Sequence, residues 1–155
     1  EYHTQLVSKR VISQVNTNDK IDNYECYCLR PFNATERIEI IEEVIYKEKN
    51  LGLVIIDGIA DLCGSYNDEK DAMKTVGKLL KWTGELNIHI ITIIHQNKAD
   101  NNSKGHLGGH ISQKAETVIS VEKDDAISKV KSSFSRGIDI NPLSFSIDDN
   151  GFILC

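Results

Sequence analysis

The stretch that decides how this chain folds is LGLVIIDG, Leu51 to Gly58, an apolar run that ends abruptly on an acid. Val54, Ile55 and Ile56 are β-branched and show no polar alternation. That pattern predicts a strand covered on both faces of a parallel sheet. Asp57 then falls at the carboxyl end of the strand, where open α/β sheets collect their ligands. A second run of the same kind, NIHIITIIHQNK (Asn87 to Lys98), also ends on polar groups: His95, Gln96 and Asn97. A helix-length segment separates the two. The right-handed crossover rule makes the strands parallel and puts both polar tips on one edge.

Outward from this unit, elements alternate. Glu1 to Val15 reads as a helix with Tyr2, Leu6, Val7, Val11 and Val15 on one face. Tyr24 to Leu29 reads as a strand that would turn Cys26 and Cys28 to the same side. Asn33-Ala-Thr-Glu36 resembles a capping box opening a helix to Lys49, with Ile38, Ile41, Val44 and Ile45 as its apolar stripe. Asn67 is placed to cap a long helix to Leu86, with Ala72, Met73, Val76, Leu79, Leu80 and Trp82 or Thr83 inward; Met73 and Trp82 are read as core. Lys98 to His110 (KADNNSKGHLGGH) is polar and glycine-rich, and is read as a loop. Glu116 to Glu122 reads as a strand, and Ser128 to Ser135 with Leu143 to Ile147 as an antiparallel pair. Asp148 to Gly151 forms a turn into a last short strand. The expected fold is α/β: a mainly parallel sheet flanked by helices, with antiparallel strands at the C-terminal end.

Composition bounds the function. The 155 residues fit a single domain, and 40% hydrophobic with 26% charged residues is a globular balance. A net charge of −5 disfavours a dedicated polyanion binder but leaves room for a local basic loop. No run approaches the roughly 18 apolar residues of a membrane span, and the N-terminus has no signal-peptide character. The four scattered cysteines contain no C-x-x-C pair, so reduced, buried thiols in a cytoplasmic protein are expected. His106 and His110 have the look of a metal clip, but the sequence offers them no acidic or thiol partner. The phosphate-cradling G-x-x-x-x-G-K-[ST] loop is absent from these residues. The chain also opens on a helical pattern without an initiator methionine, as would a piece of a longer protein.

The order of pieces resembles the back half of a RecA-type ATPase core, close to replicative helicases of the DnaB kind and RepA-like plasmid and transposon ATPases. LVIIDG resembles the Walker B strand, and TIIHQNK the following sensor strand. GGHISQKAETVISVEKD (Gly108 to Asp124) resembles the helicase segment G-S-I-E-Q-x-A-D-x-V, with Gly109, Ile111, Gln113, Ala115 and Val118 in step. The resemblance implies a single partial ATPase domain over 1–155, its Walker A half lying upstream. It further implies ATP with Mg2+ held through Asp57, a γ-phosphate sensor at Gln96 with His95 second, and DNA facing Lys98, Lys104, His106 and His110. A homo-oligomer, possibly hexameric, would be completed by Arg136 as a finger into the neighbouring subunit's site. In KVKSSFSRG the spacing departs from the family's K-x-R pair, which leaves a hairpin-mouth role for Arg136 equally open. The implied function is helicase-like work on DNA in replication or mobilisation of a plasmid or transposon. The alternative is a RecA-like scaffold without catalysis. A receiver-like domain is disfavoured, because the acids it needs on an earlier strand are missing.

Overall fold

A computed structural model describes residues 2–15, 23–96 and 105–154. The chain divides into two compact units, Phe32–Ala115 and a second one made of Glu1–Pro31 with Glu116–Cys155.

The central unit contains helix α2 (Ala34–Lys47), strand β1 (Leu53–Asp57), helix α3 (Glu69–Leu86), strand β2 (His89–Ile93) and helix α4 (Gly105–Lys114). The capping box forms as the sequence implies: Asn33 Oδ1 accepts from the Thr35 and Glu36 amides, and Glu36 accepts from the Asn33 amide at 2.8 Å. α3 begins one residue later than expected. Asp68, not Asn67, caps it by accepting from the Asp71 amide at 3.0 Å. β1 and β2 pair in parallel, with Val54 opposite Ile90 and Asp57 opposite Ile93.

Ile56, Ile59, Leu62, Ala72, Val76, Trp82 and Leu107 form the buried cluster, with Ile45 of α2 against it. Trp82 is 1% exposed, and its indole N–H finds Glu42 Oε1 at 3.0 Å. The same oxygen accepts from Lys78 Nζ at 2.7 Å. Burial pushes the Glu42 carboxyl up, yet the Lys78 and Trp82 hydrogen bonds outweigh it and hold the group below the usual carboxylate range. One half-buried carboxylate thus ties α2 to α3.

The sheet is covered on one side only, which corrects the two-faced expectation. Val54 and Ile56 face the helices, whereas Leu53 (49%), Ile55 (59%), Ile91 (42%) and Ile93 (44%) remain exposed. Met73 (57%) and Leu80 are exposed as well, and buried Thr75 takes an inward place on α3 that the sequence pattern did not give it. Its hydroxyl satisfies itself on the Asp71 carbonyl.

In the other unit, α1 (Tyr2–Gln14) is followed by an antiparallel sheet in the order β3 (Thr117–Asp124), β4 (Ile127–Ser135), β5 (Leu143–Ile147), β6 (Ile153–Leu154). Parallel and antiparallel strands therefore form two separate sheets, not one extended sheet. Asp125 in the left-handed region turns β3 into β4, and Asp148 Oδ1 gathers the Asn150 and Phe152 amides in the turn before β6. On α1, Val7 and Val15 are exposed while Leu6 and Val11 are half-buried. Residues 24–29 form no strand, so the expected side-by-side display of Cys26 and Cys28 on a sheet does not arise. Only Cys63 among the described cysteines is buried, and Cys26 is exposed.

One-sided burial sets a measurable asymmetry between adjacent residues. Ile56→Ala should cost about 2–5 kcal/mol of unfolding free energy, and Ile55→Ala about 1 kcal/mol or less. Urea titrations should show this as a large and a small fall in midpoint at constant slope. Equal midpoints would mean that both faces are covered.

Candidate functional site at the carboxyl edge of the parallel strands

β1 ends on Asp57, held by the strand register opposite Ile93 and on the exposed face. Gly58 follows with φ +86, a conformation that favours glycine. It swings the chain into a single 3-10 turn, Ile59–Leu62, anchored by fully buried Ile59 and buried Leu62. That anchoring brings a second acid, Asp61, to the same tip. Asp61 is not a bare charge. Arg37, from the first turn of α2, places Nη1 3.3 Å from its carboxylate and 3.0 Å from its backbone carbonyl. The sequence contained this pair only as an acid four residues past Asp57 and an arginine 24 residues earlier, a separation no local pattern reveals.

His95 and Gln96 follow β2 at the same edge, both exposed. Asp57, His95 and Gln96 make no side-chain hydrogen bond or ion pair to another described residue. The edge therefore combines a carboxylate at the tip, a second carboxylate balanced by a guanidinium, and two polar side chains on the neighbouring strand's extension. Mg2+ takes one or two protein carboxylates and completes its shell with phosphates and water, so Asp57 fits that use in its donor type and exposure. A phosphate cradle to accompany it is not found among these 155 residues.

The loop expected over 98–110 is corrected in its second half. Residues 105–110 belong to α4, and Lys98 and Lys104 lie outside the described residues. Gly105 starts the helix at φ +65, and a Cβ there would lie 2.6 Å from Asn67 Oδ1 and 2.7 Å from the Tyr66 carbonyl. The Leu107 amide donates to that same carbonyl at 3.1 Å. Buried Leu107 and half-buried Ile111, four apart, seat α4 on the core. Between the start of α3 and α4 lies a shallow cleft of about 600 Å3, lined by Asn67, Glu69, His106, Gly109 and His110 among others. The acidic partner that the sequence withheld from the two histidines is on its opposite wall.

Arg136 stands just past β4 in the other unit. Its amide donates to the Glu116 carbonyl at 2.9 Å, and its guanidinium sits 5.7 Å from the centre of the Phe134 ring.

No family model matches the chain, and no curated protein matches it by sequence. Among solved structures it is similar to the ATPase domain of a DnaB-like helicase, with a TM-score of 0.58 at 15% identity. The match covers 79% of this chain and 51% of that one, so the chain spans about half the length of its structural neighbour. The likeness is one of fold.

Two glycines of α4 should respond oppositely to alanine. Gly105→Ala meets both a left-handed backbone and close contacts, and should speed amide exchange through 105–114 while leaving β1 and β2 unchanged. Gly109→Ala meets nothing within 4 Å and should slow α4 exchange, with a gain of up to about 1 kcal/mol in helix propensity. Identical exchange in the two variants would refute the seating of α4 described above.

Proposed function

We infer that the chain is the Walker B and sensor part of a RecA-like ATPase acting on DNA. The observation that carries the reading is the parallel β1–β2 pair with Asp57 at its carboxyl edge, in a chain similar in fold to an ATPase domain. In this reading Asp57 holds the Mg2+ that accompanies ATP, which would shield the charge on the phosphates. Gln96 reports the state of the γ-phosphate, with His95 in support. The Arg37–Asp61 pair positions the turn that follows Asp57. Segment 98–104 and the exposed His106 of α4 face DNA, with Lys98 and Lys104 contributing phosphate contacts and His110 alongside. Arg136 acts across a subunit interface of a homo-oligomer, leaving Phe134 for the neighbouring nucleotide. The setting is helicase-like work in replication or mobilisation of a plasmid or transposon.

The phosphate cradle must then be supplied by chain outside these 155 residues. Residues 1–155 alone should bind ATP weakly or not at all, since a magnesium ligand and a sensor cannot replace a loop of backbone amides. Micromolar binding by calorimetry would overturn the reading. In a longer protein that supplies the loop, Asp57→Asn should leave the circular dichroism and thermal midpoint intact. Hydrolysis should fall on the order of 10²-fold or more, since preorganised charge stabilisation is a transition-state effect. Undiminished turnover would make Asp57 structural. Arg136→Ala should keep ATP binding and lose roughly 10³-fold or more in turnover. Mixing it with Asp57→Asn should restore part of the activity, and mixed oligomers without any restoration would remove Arg136 from the interface.

A further inference from the structure

The cleft between α3 and α4 holds donor chemistry that the nucleotide reading leaves unused. His106 and His110 are four residues apart on α4, so the helical repeat stacks their imidazoles on one face, with Cβ atoms roughly 5–6 Å apart. That is the spacing by which a helical H-x-x-x-H pair grips one metal ion. Between them on the same face, at the third position, stands Gly109. It has no side chain, and a Cβ built there meets nothing within 4 Å. The stripe therefore has a gap at its centre, flanked by two imidazoles. Glu69, the first residue of α3, lines the opposite wall of the same cleft.

We propose that this cleft is a transition-metal site in which His106 and His110 form the primary clip and Glu69 supplies a carboxylate oxygen. A set of two imidazoles and one carboxylate suits Zn2+, Co2+, Ni2+ or Cu2+, whereas Mg2+ prefers an all-oxygen shell. In the present side-chain positions no three His, Cys, Asp or Glu groups among the described residues converge on one point. The clip therefore binds first, Glu69 swings in through its own torsions, and water completes the shell. The cleft is open on its outer side, so the ion exchanges with solvent. Occupancy would tie the first residue of α3 to the first two turns of α4, the helix whose start depends on Gly105. The site makes no use of Asp57 or of ATP, so it stands or falls separately from the ATPase reading.

The test uses the full chain with Cys26→Ser and Cys28→Ser, because Cys26 is exposed and Cys28 carries a thiol pushed down to about 7 by the Thr4 hydroxyl and the Arg30 backbone. Both could capture zinc on their own. Zn2+ titration followed by calorimetry, and Co2+ titration followed by its visible absorption, should give one ion per chain at micromolar affinity. His106→Ala and His110→Ala should each weaken binding by about tenfold or more, and Glu69→Gln by a smaller factor. Metal-free circular dichroism and thermal unfolding of each variant should match the parent, so that lost binding is not lost folding. Amide exchange across 105–114 should slow on zinc addition in the parent and not in His110→Ala. Absence of binding in the parent would overturn the site. So would single-histidine variants that keep the parent's affinity and stoichiometry.

Discussion

The structure of the central unit depends on one constraint: two parallel strands can be neighbours only if the chain between them crosses back over a face of the sheet. α3 is that crossover, and its inner side supplies Ala72, Thr75, Val76 and Trp82 to the buried cluster. α2 completes the layer, joined to α3 where the Glu42 carboxylate receives both Lys78 and Trp82. With the layer fixed, the position of Asp57 follows. It is the last residue of a strand whose register is locked opposite Ile93, and the buried Ile59 and Leu62 hold the turn behind it. Chemistry at the edge is thus placed by packing that lies several residues away from it.

Much of this was legible in the sequence because the signals are local. Runs of β-branched residues ending on acids or amides gave β1 and β2, and Asn33 with Glu36 gave a helix start at the correct residue. The four C-terminal strands follow turn residues and alternation. What escaped was set by tertiary contact. GHLGGHISQK carries three glycines and reads as a loop, yet it is helical because Leu107 and Ile111 are drawn onto the core and only a glycine at 105 can approach Tyr66 and Asn67 so closely. Burial overrides propensity there. The choice between Asn67 and Asp68 as cap turned on one residue of phase, which propensity does not resolve.

The site was legible to the same degree. A strand-end acid and a polar pair on the next strand are visible in one dimension, and the structure carries both to one edge. The guanidinium of Arg37 on Asp61, and Glu69 across from His106 and His110, are long-range pairings between elements that sequence spacing cannot link. The unbroken apolar character of β1 describes what the strand is suited to pack against. It says nothing of which layer these 155 residues provide.

That bare face has a colloidal meaning. Leu53, Ile55, Ile91 and Ile93 form a contiguous aliphatic strip, and among the described residues β1 and β2 pair only with each other, so both outer edges keep unsatisfied ladder groups. Natural sheets blunt such edges with lysine, proline or a covering element. The strip has none of these within it, and the modest net charge of −5 gives limited mutual repulsion. Concentration and sulfate would both drive molecules together through this surface, since excluded salts strengthen apolar contact. Handling the chain as a free species is therefore governed by the side of the sheet that its own helices leave open.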